Sequence, residues 1–305
     1  MAALEASFTI HRGYEAADPD AFVASLAGRV RGIAAGLQTP VDRALIEHLP
    51  KVEIIASFGV GYDPIDVKAA AERGIVVTNT PDVLTEEVAD TGIGLLLMTV
   101  REFSASERYL REGRWVKEGP YRLTPATLRN RTVGIVGLGR IGMAIARRLE
   151  AMLVPVVYHN RNPRSDVKYR HYPDLKQMAA DVDTIIVVLP GGAATRNAVD
   201  AEVLKALGPN GILINIGRGS VVDEPALIEA LQKGTILATG LDVFAKEPQV
   251  PAELLALPNA VLLPHVASAS LYTRDAMGQL VVDNLKSWFA DGKPITPVAE
   301  TPWPR

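Results

Sequence analysis

The chain has 305 residues, 48% of them hydrophobic, and a formal net charge of −3. This composition supports sizeable apolar cores and argues against a nucleic-acid or membrane partner. The absence of cysteine excludes disulfides, a thiolate nucleophile and thiolate zinc sites, and we expect no metal site. Because no apolar stretch of about 18 residues is free of charge and the N-terminus carries no basic or long apolar run, we expect a soluble cytoplasmic protein.

Short apolar runs alternate with helical patterns along the chain, which predicts an α/β protein with parallel sheets. Four strands are predicted in the first part of the chain, at Phe8–His11, Val30–Ala35, Val52–Ser57 and Ile75–Asn79. Six more follow, at Thr132–Val136, Val154–Tyr158, Thr184–Leu189, Ile212–Ile216, Leu237–Val243 and Val261–Leu263. Six is the strand number of a doubly wound dinucleotide-binding domain.

Two helical patterns indicate how the chain divides. A long one at Glu86–Arg111 is predicted to link two domains, and a chain of this length is expected to have two. A second runs from Leu271 to Phe289 and ends at Asp291-Gly292, with Pro294 beyond. We expect it to return the chain to the first domain. The predicted domains are therefore 81–270, which binds the dinucleotide, and 1–80 together with 271–305, which binds the substrate.

A glycine-rich turn follows the strand predicted at Thr132–Val136. Gly137, Gly139 and Gly142 have the spacing G-x-G-x-x-G and precede a helical pattern. The first glycine permits a tight turn, the second lets the backbone approach a pyrophosphate, and the third lets helix and strand pack closely. An ordinary turn between a strand and a helix is the alternative. The flanking strand and helix favour a dinucleotide site.

The residues after the next strand indicate which dinucleotide binds. NAD-selective sites usually carry Asp or Glu about 20 residues after the first glycine. Here the chain has His159, Asn160 and Arg161, with Arg164 close behind. Arg161 can pair with a 2′-phosphate through its planar fork, although a solvated basic loop is the alternative. The sequence predicts that NADP(H) is preferred and that NAD(H) is possible.

Arg218, Glu247 and His265 each follow a predicted strand. Because the carboxyl ends of parallel strands meet at the edge where ligands bind, we expect these side chains to lie near the glycine turn. Singly, each has a structural explanation: a surface arginine, a cap before proline, a loop histidine. Together they form a candidate catalytic set. The remaining histidines, which lack such a context, are His11, His48, His159 and His171.

Five motifs occur in the order found in one enzyme family. They are Gly59-Val60-Gly61-Tyr62-Asp63, Gly137–Gly142, Asn215-Ile216-Gly217-Arg218-Gly219, Asp242-Val243-Phe244 with Glu247-Pro248, and Leu263-Pro264-His265. From about residue 25 to 298 the chain resembles the D-isomer-specific 2-hydroxyacid dehydrogenases. The segment Asn79–Thr85 is similar to that of NADPH-linked glyoxylate/hydroxypyruvate reductases and plant hydroxyphenylpyruvate reductases. D-lactate dehydrogenases carry a tyrosine where Val83 stands.

The resemblance implies a Rossmann doubly wound cofactor domain and a smaller flavodoxin-like substrate domain built from both chain ends. The backbone N–H groups of Val60 and Gly61 and the fork of Arg218 would bind the carboxylate of a 2-oxoacid substrate. Arg218 would also polarise the carbonyl. His265 would give its proton to the developing alkoxide as NADPH delivers hydride. Glu247 would orient the imidazole and keep it protonated near neutral pH.

The implied activity is reduction of glyoxylate, hydroxypyruvate or a close relative to the D-2-hydroxyacid. The implied cofactor residues are Gly137, Leu138, Gly139, Arg140, Ile141, Gly142, Asn160, Arg161, Ile216 and Asp242. Asp242 is in addition a candidate acid behind the catalytic pair. The alternatives are a hydroxyphenylpyruvate reductase, a phosphoglycerate dehydrogenase-like enzyme and a non-enzymatic NAD(H)-sensing protein. A methyltransferase would not explain Arg218, Glu247 and His265 together.

Two further expectations come from the resemblance. The first is a homodimer formed through Gly113–Arg122, a segment in which Trp115 and Tyr121 could instead be core residues. The second concerns the start of the chain. Relatives usually have a further strand and loop before the helix predicted at Met1–Ala6, so a chain that starts here would lack one parallel strand of its first domain.

Overall fold

The computed structural model describes residues 2–37 and 39–301. The helices are α1 (Ala2–Glu5), α2 (Pro19–Leu26), α3 (Arg43–His48), α4 (Val67–Glu72), α5 (Thr85–Arg101), α6 (Phe103–Arg111), α7 (Arg114–Glu118), α8 (Arg140–Ala151), α9 (Leu175–Asp181), α10 (Ala201–Leu207), α11 (Glu224–Gln232), α12 (Ala252–Leu255) and α13 (Leu271–Asp291). The strands are β1 (Gly32–Ala35), β2 (Ile54–Ser57), β3 (Val76–Thr78), β4 (Val133–Val136), β5 (Val156–His159), β6 (Arg170–Tyr172), β7 (Thr184–Val187), β8 (Ile212–Asn215), β9 (Ala238–Leu241) and β10 (Ala260–Leu262). The predicted α/β class is confirmed. None of the helices described here is long and apolar enough to cross a membrane.

The chain forms two compact units, one of residues 1–84 and 270–305 and one of residues 85–269. The smaller unit has a parallel three-stranded sheet in the order β1-β2-β3. Asp18, Asp42 and Asp66 cap α2, α3 and α4 by accepting a backbone N–H three residues on. Ile55 of the central strand lies on the face of the sheet that these helices cover. Its neighbour Ile54 packs on the α13 side, because successive strand residues face opposite ways.

The strand predicted at Phe8–His11 is wrong. The Phe8 N–H donates to the Leu4 carbonyl at 2.8 Å, which ends the first helix, and in the described part of the chain no strand pairs with residues 8–11. Phe8 and Ile10 pack beside α13 instead, and the Phe8 ring meets the Phe289 ring at 5.8 Å. The alternating apolar residues therefore pack against a helix and not in a sheet.

The larger unit has a parallel seven-stranded sheet in the order β10-β9-β8-β7-β4-β5-β6. The strand number rises outward on both sides of β4, through β5 and β6 on one side and β7 to β10 on the other, which is the doubly wound arrangement. Helices cover both faces. A Cβ on Gly134 would meet Met178 of α9 at 2.9 Å, whereas Ile135, one residue on, contacts α8 beside Gly142. The topological switch point lies at the end of β4, where the glycine turn begins.

Every described strand except β6 falls on a predicted segment, so the six-strand prediction for this sheet was one short. Strand β6 has three residues and lies at the sheet edge, paired to β5 alone. Its sequence, Arg170-His171-Tyr172, has one buried residue. An edge strand this short shows no apolar run, so the pattern gave no signal.

The predicted helix Glu86–Arg111 is two helices. Glu102 adopts φ 53° between α5 and α6, a left-handed conformation that interrupts the helix. No proline or glycine at this position indicates the break in the sequence. Helix α5 lies close on the larger sheet because Gly240 has no side chain: a Cβ there would be 2.5 Å from Thr99 Oγ1. The predicted end of α13 is confirmed, since Gly292 follows the helix with φ 66°.

The two aromatic residues of the predicted dimer segment differ in their surroundings. Trp115 is 60% exposed, so the alternative that it is a core residue is wrong. The Tyr121 ring packs edge-on against that of Tyr109 at 5.3 Å, and its hydroxyl donates to Glu102 Oε2 at 2.8 Å. Tyr121 is therefore part of the internal packing of this segment.

Candidate active site

The glycine turn forms an open cradle at the start of α8. Gly137 has φ 103°, and a Cβ there would be 3.0 Å from the Val188 backbone. A Cβ on Gly142 would lie 2.4 Å from the Gly137 oxygen, so both positions require glycine. Nothing lies within 4 Å of a Cβ on Gly139, which precedes the 12-residue helix without a side-chain cap. The open space and the N-terminal end of α8 fit a dinucleotide pyrophosphate.

Two predicted cofactor residues, Leu138 and Asn160, contact each other. The Leu138 N–H donates to Asn160 Oδ1 at 2.7 Å, and the Leu138 carbonyl accepts from Arg164 Nη1 at 2.9 Å. His171 Nε2 lies 3.0 Å from the Asn160 carbonyl oxygen and donates to it. Both polar backbone groups of Leu138 are thus engaged by the loop after β5. Ile141, in the first turn of α8, has a backbone N–H with no backbone acceptor among residues 2–37 and 39–301.

The two arginines of the loop after β5 have different surroundings. Arg164 pairs with Asp166 and is about one-third exposed. Arg161 is exposed, and among residues 2–37 and 39–301 its side chain forms no hydrogen bond or ion pair. Arg161 is therefore the arginine of this loop whose guanidinium is available to a phosphate.

Arg218 is held by contacts on both sides. At the end of β8, Asn215 Oδ1 accepts from Gly217 N at 3.0 Å and Asn215 Nδ2 donates to the Arg218 carbonyl at 3.0 Å. A Cβ on Gly219 would lie 1.9 Å from the Phe244 carbonyl carbon. Only glycine permits this approach, which brings the Arg218 loop against the loop that leads to Glu247. Asn215 and Gly219 were part of the motif identified in the sequence, but the contacts that they make could not be predicted from it.

Glu247 and His265, the predicted acid–base residues, are in contact. Glu247 Oε2 lies 2.6 Å from His265 Nδ1, and Glu247 Oε1 accepts from Phe244 N at 3.0 Å. Burial opposes ionisation of Glu247, but the hydrogen bonds from His265 and Phe244 and the charges of His265 and Arg218 outweigh it and lower its pKa. Glu247 is therefore a carboxylate that accepts a hydrogen bond from the Nδ1–H group of His265. Arg218, Glu247 and His265 lie within one site in the larger unit.

Asp242 holds the turn that carries His265. Its carboxylate is fully buried and accepts from the Val266 N–H at 2.7 Å and the Ala267 N–H at 3.0 Å. Its carbonyl accepts from the His265 N–H at 2.9 Å. Burial raises the pKa of Asp242, while the two backbone hydrogen bonds act in the opposite direction. His265 has φ 54°, and these three bonds hold that left-handed conformation.

The remaining predicted residues have different settings. Ile216 is buried, with its Cδ1 atom 2.9 Å from where a Cβ on Gly92 of α5 would lie, so its side chain is core packing. Val60 and Gly61 belong to the smaller unit, where they are half-buried in the loop after β2.

Residues 93–267 match the family described as D-isomer specific 2-hydroxyacid dehydrogenase, NAD binding domain. Glyoxylate/hydroxypyruvate reductase A of Arabidopsis thaliana is 45% identical over 295 residues, 97% of this chain and 94% of that protein. Hydroxyphenylpyruvate reductase of Plectranthus scutellarioides is 45% identical over 278 residues, 91% and 88% of the two chains. A solved structure of an NADPH-dependent glyoxylate/hydroxypyruvate reductase from Sinorhizobium meliloti, in complex with NADP and malonate, is 57% identical with a TM-score of 0.90, covering 96% of this chain and 89% of that one.

Proposed function

This chain belongs to the D-isomer specific 2-hydroxyacid dehydrogenase family, and we propose that it reduces glyoxylate, hydroxypyruvate or a close relative to the D-2-hydroxyacid with NADPH. The observation that carries the proposal is the 2.6 Å contact between His265 Nδ1 and Glu247 Oε2, with Arg218 close enough for its charge to lower the pKa of Glu247. A proton donor and a fixed cation are what the carbonyl oxygen of a 2-oxoacid needs as negative charge develops on it.

The larger unit is proposed to bind the cofactor, and NADPH, when bound, supplies the hydride. The turn from Gly137 to Gly142 and the first N–H groups of α8 would hold the pyrophosphate. Arg161 would pair with the 2′-phosphate, because its exposed guanidinium has no acidic partner in the described chain. A carboxylate at His159 or Asn160 would repel that phosphate, and neither residue has one.

The substrate is proposed to be held by its carboxylate. The fork of Arg218 can bind a carboxylate through two parallel hydrogen bonds and also face the carbonyl oxygen. Val60 and Gly61 of the smaller unit add backbone N–H donors.

His265 is the proposed proton donor. Because Glu247 accepts from Nδ1, the Nε2 atom holds the transferable proton. That proton passes to the carbonyl oxygen, the oxygen becomes the hydroxyl of the product, and the imidazole is left neutral. Glu247 stays ionised throughout and orients the ring.

The test is NADPH and NADH oxidation by the purified protein with glyoxylate, hydroxypyruvate, hydroxyphenylpyruvate and pyruvate. We expect turnover with glyoxylate and hydroxypyruvate and a preference for NADPH. A preference for hydroxyphenylpyruvate would support the second candidate, which the 45% identity to the Plectranthus enzyme favours. Binding of cofactor without turnover of any oxoacid would contradict a reductase and favour a sensing protein.

We also propose a homodimer. A groove of about 1020 Å³ in the larger unit lies beside β10 and the segment of α6 and α7. Near it, Trp115, Val116 and Leu123 are 60%, 94% and 94% exposed, an apolar surface that a second copy would cover. Light scattering should give twice the 32.7 kDa mass of one chain, and Val116→Asp should lower it. A single-chain mass for the wild-type protein would contradict the dimer.

The proposed location is the cytoplasm. Regeneration of NADPH by intracellular metabolism would supply the reaction there. Fractionation of cells that express the untagged protein should recover it with cytoplasmic enzymes, and recovery outside the cytoplasm would contradict the assignment.

A further inference from the structure

The loop after β2 presents two backbone donors, the N–H groups of Val60 and Gly61. Among residues 2–37 and 39–301 neither group has an acceptor, and both residues are half-buried. Each N–H shares a planar peptide unit with the carbonyl of the residue before it, and in a trans peptide the two point in opposite directions. Whatever holds the carbonyls of Gly59 and Val60 therefore aims the two donors.

Both carbonyls are held by residues that follow β3. The Thr80 N–H donates to the Gly59 carbonyl at 2.9 Å, and Asn79 Nδ2 donates to the Val60 carbonyl at 2.8 Å. A carbonyl oxygen can only accept, so the amide nitrogen of Asn79 must face it. The two bonds turn the Val60 and Gly61 N–H groups away from the segment of Asn79 and Thr80.

The backbone of Asn79 is itself fixed from the other side. Its N–H donates to the Thr296 carbonyl at 3.2 Å, and its carbonyl accepts from Thr296 Oγ1 at 2.6 Å. Asn284, fully buried in α13, donates to the same hydroxyl at 2.9 Å. The Asn284 Oδ1 atom accepts from the N–H groups of Ile295 and Thr296 at 3.0 Å each. The amide of Asn79 thus extends from a backbone with little freedom to move.

We propose that Asn79 is a positioning residue for the substrate carboxylate: it fixes the peptide plane that aims the Gly61 N–H. The proposal rests on the proposed function, in which Val60 and Gly61 bind that carboxylate. Asn79 does not touch the substrate in this account. It acts through Val60, and its loss weakens substrate binding without affecting cofactor binding.

The test is Asn79→Asp, which keeps the shape of the side chain but, when ionised, cannot donate to Val60. The KM for glyoxylate should rise about tenfold or more, while the KM for NADPH stays within about twofold. Because a protonated carboxyl can donate, the KM ratio of variant to wild type should fall as the pH is lowered from about 8 to about 5. A change of shape alone would give no such pH dependence.

Two further variants keep the test decisive. Asn79→Ala removes the donor without adding charge, so it should also raise the KM for glyoxylate, and it decides the matter if Asn79→Asp does not fold. Asn259→Asp makes the same substitution in the larger unit, where Asn259 donates to Leu237 O at 3.1 Å, and should leave both KM values unchanged.

Two kinds of failure are distinguishable. A wild-type protein that reduces oxoacids, together with Asn79 variants of wild-type KM, would overturn the role of Asn79 alone. Equal rises in the KM values for glyoxylate and NADPH would also overturn it, because they indicate general loosening. A wild-type protein that reduces no 2-oxoacid would overturn both this inference and the proposed function.

Discussion

His265 and Glu247 form a hydrogen-bonded pair with Nδ1 and Oε2 2.6 Å apart, at a turn where the histidine backbone has φ 54°. The contact engages Nδ1 with Glu247, so Nε2 is the ring nitrogen that we propose as the proton donor. Glu247 is ionised at neutral pH because its hydrogen bonds and nearby positive charges outweigh burial and lower its pKa.

Glu247→Gln should lower kcat by about ten- to a hundredfold. The amide can still accept from Nδ1, but it does not stabilise the imidazolium by charge. In the wild type, the contribution of the Glu247–His265 pair to the free energy of unfolding is present at neutral pH. This contribution is lost as the pH falls through the lowered pKa of Glu247. The check is kcat against pH at saturating substrate. Wild-type turnover by this variant across that pH range would rule out this role for Glu247.

Arg161→Ala should weaken the binding of NADPH by about 1.5–3 kcal/mol, which is roughly ten- to over a hundredfold in kcat/KM. The values for NADH should change little. Arg164→Ala is the matched comparison. Because Arg164 is tied to Asp166 and the Leu138 carbonyl, its loss should disturb the glycine turn and affect the two cofactors alike. If Arg161→Ala leaves the NADPH/NADH ratio unmoved, Arg161 does not read the 2′-phosphate.

Gly219→Ala should lower both stability and kcat/KM. A Cβ there would sit 1.9 Å from the Phe244 carbonyl carbon and oxygen, so the loops that carry Arg218 and Glu247 must separate. We expect a loss of about 1–3 kcal/mol in the free energy of unfolding. Gly94→Ala is the control, since nothing lies within 4 Å of that Cβ and alanine favours the helix by about 0.8–1 kcal/mol. Chemical denaturation measures the free energy of unfolding of the Gly219→Ala and Gly94→Ala variants. Equal values for the two variants would contradict the packing argument.

Asp242→Asn should destabilise the turn at His265. Both carboxylate oxygens accept backbone N–H groups, and an amide places a donor against one of them, at a cost of about 1–3 kcal/mol. Thermal unfolding should detect this loss, and kcat should fall because His265 is no longer held in place. A fully stable variant would mean that Asp242 does not hold the turn.

The sequence predicted the family, and this is confirmed. It also predicted every strand of the larger sheet but one, because buried parallel strands are apolar runs that are visible locally. Arg218, Glu247 and His265 could be predicted to converge because each follows such a strand, and the carboxyl ends of parallel strands meet at one edge.

What escaped prediction depends on contacts between distant residues. The bond between Leu138 and Asn160 joins positions 22 apart, and that between Asn79 and Thr296 joins positions 217 apart. No local pattern specifies such a partner. The helix break at Glu102 was missed for another reason: a left-handed glutamate leaves the apolar periodicity on both sides intact.

The central claim is that His265 Nε2 donates the proton, and His265→Asn tests it most directly. Asparagine tolerates the left-handed backbone at this position, and its amide can replace Nδ1 as the donor to Glu247, but it has no atom equivalent to Nε2. The measurement is the steady-state kinetics of NADPH oxidation with glyoxylate, beside direct titration of NADPH binding. We expect kcat to fall by about 10²–10⁴-fold, with the KM for glyoxylate and the affinity for NADPH close to wild type. A kcat that matches the wild type would contradict the account.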